Sequence, residues 1–374
     1  MTTGAQQTQR LYFVDAMRAW AILMMLQGHF IDSLLDPVFR DPTNPVYATW
    51  KYFRGITAPV FFTVSGFIFT YLLIRAPRQG TDNPRIRKGL QRGFQLIGIG
   101  YLLRTNVLGL LKGAIYPSFF LVDVLHCIGV ALLVIIGLYL LSFKLKEQAF
   151  PVLLLLLGLL LFVFEPAYKA WDYTYIPQAL ANYFTKANGS VFTIIPWVGY
   201  SAIGGFLAQL FYRFRSDPNL YIKSLILCFI SGYLLIWHSS EFFSWVNRYG
   251  GILLFQSIVS NNYLFIRLGD VMLVFTVFIF LRSVLNRQLF LKIGQNTLSI
   301  YVIHFIILYG SFTGFGLYKF YHHRLTPNEA IPGALLFMMV STALALVYDR
   351  YESVLKKSLQ KILAFLKAQI IRMF

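Results

Sequence analysis

Residues 15–36, near the amino terminus, read DAMRAWAILMMLQGHFIDSLLD. A helix turns by about 100° per residue, which places its five charged or titratable side chains on one narrow stripe. These side chains are Asp15, Arg18, His29, Asp32 and Asp36. The other residues are mostly apolar. If this helix crosses a membrane, such a stripe is costly and therefore indicates function.

The composition indicates that the helix does lie in a membrane. Hydrophobic residues make up 57% of the 374 residues and charged residues only 13%, about half the charged share of a soluble domain. Apolar runs long enough to cross a bilayer recur along the whole chain. Because a membrane protein must satisfy its backbone hydrogen bonds internally, the sequence predicts an all-α, multi-pass bundle of about ten transmembrane helices. We place these near residues 14–35, 54–74, 94–111, 118–142, 150–165, 191–212, 221–237, 261–281, 293–311 and 331–348.

The distribution of basic residues predicts the orientation of the chain. Arginine and lysine concentrate in segments 75–92, 144–146, 213–223, 282–292 and 350–372, whereas the intervening loops hold nine such residues. Positive charge is enriched in cytoplasmic loops. We therefore expect an integral protein of the cytoplasmic (inner) membrane with both termini in the cytoplasm. The net charge is +18. Because the basic residues lie at helix ends, we do not expect nucleic acid as a partner, and we expect the charged ends to contact membrane lipid.

The carboxy-terminal segment 349–374 differs from the transmembrane domain that we assign to residues 1–348. Its apolar residues fall on one side of a helix and its lysines largely on the others. This pattern predicts a basic amphipathic helix on the anionic inner leaflet. The two cysteines, Cys127 and Cys228, lie inside apolar runs and indicate core packing.

Arg18 and His29 carry the chemical hypothesis. They are eleven residues apart, which on a helix is about 20° around the axis and about 16 Å along it. In the predicted orientation, Arg18 is a fixed cation near the cytoplasmic mouth and His29 a titratable base in the outer half of the bilayer. Histidine suits proton abstraction near neutral pH, and Asp32, one turn further, is expected to orient the ring. The alternative is a structural ion pair between Asp15 and Arg18 and a histidine bonded to a neighbouring helix.

The basic segment 75–92 has two interpretations. Topology alone requires some cations there, but a nucleotide thioester with several phosphates also needs a cationic mouth, and arginine grips phosphate bidentately. Six cations in eighteen residues exceed what orientation needs, which favours donor binding. No glycine-rich phosphate loop or metal-ligand cluster occurs in the sequence, so metal-dependent chemistry is disfavoured.

Several motifs occur together in the sequence. The first is Arg18-x10-His29 followed by the second-span motif Phe61-Phe62-Thr63-Val64-Ser65-Gly66-Phe67. The others are Asp15-Ala16-Met17-Arg18, Thr57-Ala58-Pro59, and the two later segments 123–129 and 294–304. Together they resemble the acyltransferase-3 family of membrane acyltransferases and the related heparan-α-glucosaminide N-acetyltransferase-type enzymes. The heparan-type enzymes carry their acting histidine in the first non-cytoplasmic loop, where residues 33–53 hold none. His29 takes that role only through the acyltransferase-3 motif.

The resemblance implies transfer of an acyl group, acetyl above all, from cytosolic acyl-CoA to a hydroxyl or amine of an extracytoplasmic saccharide or glycolipid. His29 would be the general base or a transient acyl carrier, with Asp32 beside it and His304 as a second candidate base. The expected donor-binding residues are Arg18, Ser65, Arg85, Arg87, Lys88 and Arg92. The expected acceptor-binding residues are Trp50, Arg54, Asp123, His126 and Tyr301. No metal site is expected.

Two other classes remain open at this point. A transporter or flippase of a sugar or lipid-linked sugar would use the same polar stripe as a permeation path. Against it, no repeat between the two halves of the chain is evident in the sequence. The second alternative is a scaffold subunit without chemistry. For His304, a hydrogen bond between helices is an equally good explanation.

Overall fold

The computed structural model describes residues 11–146 and 148–373, with side chains up to residue 354. The predicted amphipathic pattern beyond residue 354 lies outside the described side chains. Within the described part, the backbone forms helices and turns without a β-strand. The α-helices are α1 (Tyr12–Leu34), α2 (Pro45–Ile74), α3 (Pro84–Leu103), α4 (Val107–Leu111), α5 (Val124–Leu145), α6 (Ala149–Val163), α7 (Glu165–Lys169), α8 (Gln178–Ala181), α9 (Ile194–Arg213), α10 (Leu220–Tyr233), α11 (Ser239–Gly250), α12 (Leu253–Ser260), α13 (Tyr263–Phe280), α14 (Gln288–Gln295), α15 (Thr297–Tyr309), α16 (Leu317–Tyr321) and α17 (Pro327–Met373).

Local sequence explains where three of the long helices begin. The side chains of Asn44, Asn83 and Asp123 each accept a hydrogen bond from a backbone N–H group of the helix that follows. Such caps satisfy donors that have no partner within the helix. Pro45 and Pro84 then occupy the first helical position, where a proline loses no hydrogen bond.

The all-α class is confirmed, but the count of about ten spans is not. In the described residues, six helical stretches are long and apolar enough to cross a membrane, or seven if the bent pair α14–α15 counts as one span. The six are α2, residues 117–145 around α5, α9, the continuous stretch from α10 to α11, residues 263–283 around α13, and residues 327–354 of α17. Helices α1, α3 and α6 are not among them. Polar residues lower the hydropathy of α1 and α3, and α6 has only 15 residues.

Three predicted boundaries differ from the structure in ways that matter for the site. Helix α2 begins at Pro45 instead of residue 54, so the predicted outer loop 36–53 is helical in its second half. Helix α3 begins at Pro84, which places four of the six cations of segment 75–92 on a helix. The predicted straight span 293–311 is broken at Asn296, where α14 and α15 meet at a 70° bend.

Helix α1 lies at the centre of the bundle and contacts α2, α13, α14, α15 and α17. It ends at Leu34, so Asp36 is not part of its polar stripe and instead begins a short 3₁₀ turn, Pro37–Phe39. Most of the side chains of α1 are buried, including Asp15 at 7% exposure. Because neighbouring helices surround α1, its polar side chains meet protein groups and cavities instead of lipid.

Glycines bring α2 and α9 into close contact. A Cβ atom added to Gly66 would lie 1.9 Å from the carbonyl oxygen of Ser201, and one added to Gly204 would lie 1.9 Å from that of Thr63. Both contacts are with backbone atoms, which cannot rotate away. Small residues at such crossings let two membrane helices pack at short range. The step Ser65-Gly66 therefore packs against a helix through its glycine.

We expect Gly66→Ala to separate α2 from α9 and to destabilise the protein by about 1–3 kcal/mol or more. The matched control is Gly98→Ala in α3, where an added Cβ meets no atom within 4 Å. That change should be neutral or stabilise the helix by about 1 kcal/mol, because alanine favours helix more than glycine does. Thermal unfolding of the two purified variants provides the measurement. Equal unfolding midpoints would show that the α2–α9 contact does not limit stability.

Candidate active site

His29 and His304 form a pair between α1 and α15. The Nδ1 atom of His29 lies 3.0 Å from the Nε2 atom of His304, a hydrogen-bond distance. His304 is fully buried, and its ring also meets the edge of Tyr301 at 4.9 Å between centroids. His29 is only half-buried and faces open space on its other side. One histidine of the pair is therefore accessible, and the other holds it in place.

Asp32 does not orient His29 as the sequence predicted. The carboxylate of Asp32 accepts a hydrogen bond from Nε of Arg54 at 2.6 Å. It also forms an ion pair with Nη2 of the same guanidinium. Asp32 lies one turn beyond His29, and its side chain contacts α2 instead of the His29 ring. The partner that orients His29 is His304.

Arg18 lies on the same helix, three turns before His29. Its guanidinium donates a hydrogen bond to Oγ1 of Thr297 at 2.9 Å and lies 3.7 Å from the carboxylate of Asp15. Both contacts of the structural alternative are therefore present, the Asp15–Arg18 ion pair and the hydrogen bond of His29 to a neighbouring helix. Arg18 also lines a cavity, so the ion pair and a binding role are compatible.

The Arg18 cavity has a volume of about 260 Å³. Its wall is mostly apolar, with Phe61, Leu96 and Leu298 among its members. Its polar wall consists of side chains from α1, α2, α3 and α15, namely Arg18, Ser65, Arg92, Thr297 and Tyr301. A mostly apolar cavity with two cations in its lining suits a ligand that joins a narrow chain to anionic groups.

The predicted donor residues fall into two groups. Arg18, Ser65 and Arg92 meet in the Arg18 cavity. Arg85, Arg87 and Lys88 occupy the first turns of α3 and are not among its lining residues; Arg87 and Lys88 are exposed. The structure thus brings three of the six predicted residues together in one cavity.

Two further cavities meet at His29. The first, the Arg54 cavity, has a volume of about 260 Å³ and includes Arg54, Thr57 and Trp197 in its wall. The second, the Tyr309 cavity, has a volume of about 570 Å³ and includes Asp123, Tyr301 and Tyr309. His29 lines both cavities.

The three cavities are neighbours. Tyr301 lines the Arg18 and Tyr309 cavities, and Phe61 lines the Arg18 and Arg54 cavities. These two rings therefore lie at the boundary between the space at Arg18 and the space at His29. The arrangement can bring two ligands, one from each end of α1, to the same histidine.

The predicted acceptor residues lie in different places. Arg54, Asp123 and Tyr301 line cavities at or next to His29. Trp50 donates its indole N–H to Gln27 at 2.6 Å and is not among the lining residues of these cavities. His126 is fully buried beside Asp123, 3.1 Å from its carboxylate, and is likewise absent from the cavity walls.

Arg104 compensates the charge of Asp123. Its Nε lies 3.3 Å from the Asp123 carboxylate, and both residues line the Tyr309 cavity. Among the described side chains, no group of three or more histidine, cysteine, aspartate or glutamate residues could hold a metal ion. A fourth cavity of about 230 Å³ lies beside Phe13 and is mainly apolar, with its two ionic residues, Lys223 and Asp217, paired at 2.6 Å.

The comparison with known families identifies the chain. An acyltransferase domain matches residues 11–350, from the first described residue almost to the end of the described side chains. The chain belongs to the acyltransferase-3 family. This confirms the resemblance that the motifs of α1 and α2 carry. A comparison with curated proteins gives no match. Membership of this family together with the apolar helices supports a membrane acyltransferase.

Sequence reasoning missed two features of this candidate site. It treated His29 and His304 as separate candidates. The two histidines are 275 residues apart in the sequence, but the fold places them at hydrogen-bond distance. Lys186 is one of the nine basic residues of the intervening loops, to which sequence reasoning assigned no role, whereas the structure places Lys186 in the wall of the Arg54 cavity. The polarity of His304 in an apolar span was the available signal for the first feature. No spacing in the sequence links residue 186 to residue 54.

Proposed function

We propose that the protein transfers an acyl group, acetyl above all, from cytosolic acyl-CoA to a hydroxyl or amine of a saccharide on the opposite face of the membrane. The observation that carries the proposal is the position of the His29–His304 pair next to the boundary between the Arg18 cavity and two further cavities. Family membership favours transfer chemistry over transport.

The Arg18 cavity is the proposed donor site. The pantetheine arm and acyl group are the narrow, largely apolar part of acyl-CoA, and they suit the apolar wall around Leu96 and Leu298. Arg18 and Arg92 would face polar groups of the donor. The exposed cations Arg87 and Lys88, close to Arg92 on α3, would attract the phosphates of the nucleotide.

The His29–His304 pair supports general base catalysis. If Nδ1 of His29 donates its hydrogen to Nε2 of His304, then Nε2 of His29 keeps a lone pair that can accept a proton. Removal of the proton from the acceptor hydroxyl lets its oxygen attack the thioester carbonyl carbon. The carbon–sulfur bond breaks, an ester forms, and the proton passes from His29 to the departing CoA thiolate. A transient acyl group on His29 would give the same products.

The direct experiment is to incubate the purified protein with acetyl-CoA that carries a labelled acetyl group and with a panel of neutral and acidic disaccharides. The proposal expects label in an ester or amide of at least one saccharide, and none without protein. Label that stays on CoA or appears only in free acetate would contradict it.

His304 provides a separate prediction, because its proposed role is to position His29. Loss of one neutral hydrogen bond costs about 0.5–1.5 kcal/mol, so His304→Ala should lower the turnover number roughly tenfold and leave the KM for acetyl-CoA unchanged. His304→Gln retains a carbonyl acceptor and should restore most of the rate. If His304→Gln is as slow as His304→Ala, the hydrogen bond is not what His304 contributes.

A further inference from the structure

The Arg54 cavity carries positive charge next to the proposed base. Lys186, from the loop before α9, lines the cavity together with His29 and Arg54. Arg54 is paired with Asp32, whereas no carboxylate among the described residues lies within ion-pair distance of Lys186. Lys186 is therefore a cation of the cavity whose charge no ion pair among the described residues neutralises.

Neighbouring cations also act on the charge of Lys186. One of them, Lys169, is itself paired with Glu165 at 3.3 Å. Although Lys186 as a whole is exposed, desolvation of its ammonium group, followed by the charges of Lys169 and Arg54, lowers its pKa. An anion placed between Lys186 and Arg54 would reverse this effect, because it would stabilise the charged form of the lysine.

A second cavity adjoins the first at this lysine. The Glu165 cavity, of about 290 Å³, shares Lys186 and Trp197 with the Arg54 cavity. Its wall is rich in aromatic rings, among them Tyr168, Tyr173 and Tyr263. Aromatic faces combined with a carboxylate suit sugar rings, which have apolar faces and hydroxyl edges. Tyr173 lies in the wall of this cavity, whereas Trp171 and Tyr175, on the same loop, are exposed.

From this geometry we infer that the acceptor is an acidic saccharide of at least two sugar residues. A carboxylate or phosphate substituent binds Lys186 and Arg54, one sugar places its hydroxyl at His29, and the next sugar occupies the Glu165 cavity. This inference rests on the proposed function, because it assigns the space beside His29 to the acceptor. It adds the charge and the minimum length of that acceptor.

The test is equilibrium binding to the full chain in nanodiscs of zwitterionic phosphatidylcholine, without acetyl-CoA. The probes are a glucuronic-acid disaccharide, its methyl ester, a phosphorylated disaccharide and glucuronic acid alone. A charge-assisted hydrogen bond to Lys186 should make one of the anionic disaccharides bind at least about tenfold more tightly than the neutral ester. The disaccharide should also bind more tightly than the single sugar. Equal affinity of the ester and both anionic disaccharides would overturn the inferred charge, and equal affinity of the single sugar would overturn the inferred length.

The variant Lys186→Gln distinguishes a specific anion site at Lys186 from a general attraction of anionic saccharides to a basic protein. In this variant the preference for the acid should disappear while the affinity for the ester stays the same. The matched control is Lys51→Gln, which removes an exposed lysine of α2 that is absent from both cavity walls, and it should keep the preference. A preference that survives Lys186→Gln would overturn the proposal.

Acetyl transfer, measured on the same samples, separates this inference from the proposed function. Preference for the acid without any transfer would contradict the proposed function and leave the anion site in place. Transfer to acidic and neutral disaccharides at equal rates would support the proposed function and overturn the anion site.

Discussion

His29→Gln should abolish acyl transfer while leaving the protein folded and able to bind acyl-CoA. Glutamine keeps a hydrogen-bonding side chain near His304 but offers no basic nitrogen at neutral pH. A positioned general base contributes typically 10²- to 10⁴-fold to rate, so the turnover number should fall by about that factor. The donor's phosphates lie away from the ring in this account, and the Kd for acetyl-CoA should therefore change little. Turnover with labelled acetyl-CoA and calorimetric donor binding are the two measurements.

The control for this variant is another histidine. His238 is exposed and paired with Glu241 at 2.9 Å, and is not part of the cavities at His29; His238→Gln should keep full activity. In the unmodified protein, transfer should also slow as the pH falls through the range in which His29 takes up a proton, because a protonated imidazole cannot accept another. Substantial turnover by His29→Gln would show that another group is the base.

Arg18→Ala should weaken the binding of acyl-CoA more than any other single change at the Arg18 cavity. A hydrogen bond to a charged group is worth about 1.5–3 kcal/mol, which corresponds to a roughly 10- to 100-fold higher Kd for acetyl-CoA. The turnover number at saturating donor should change far less, because Arg18 lies about 16 Å along the helix from His29. Isothermal calorimetry with acetyl-CoA provides the measurement.

Two comparisons distinguish donor binding from loss of structure. Arg18→Lys keeps a positive charge beside Asp15 and should fold normally, but it lacks the planar fork of arginine and should bind the donor with intermediate affinity. Arg87→Ala removes an exposed cation that is not in the cavity wall and should weaken binding only slightly. Unchanged donor affinity in a well-folded Arg18→Lys and Arg18→Ala pair would assign Arg18 a structural role alone.

The sequence predicts the fold class well because the relevant signals are local. Long apolar runs predict helices in a membrane, and the asparagine caps before α2 and α3 are visible as Asn-Pro steps. The number of spans is harder to predict. Helices α1 and α3 carry charged side chains that lower their hydropathy, and the 70° break at Asn296 interrupts an otherwise continuous apolar run.

For the candidate site, the sequence predicts the individual residues better than their contacts. The motif on α1 identifies Arg18 and His29, and both line cavities. Contacts between distant segments cannot be read from spacing along the chain. For this reason the sequence did not reveal three contacts of the site. His29 pairs with His304, Asp32 with Arg54, and Arg104 with Asp123. Asp32 and His29 are neighbours on one helix, but tertiary contacts decided the partner of each.

One measurement tests the central claim most directly, the transfer of an acyl group across the membrane at His29. The protein is reconstituted in vesicles, labelled acetyl-CoA is supplied on one side, and a mixture of acidic and neutral disaccharides is enclosed on the other. We expect labelled saccharide in the opposite compartment only when acetyl-CoA faces the side that carries Arg87, and none with His29→Gln. Transfer that requires both substrates on the same side, or that persists in His29→Gln, would contradict it.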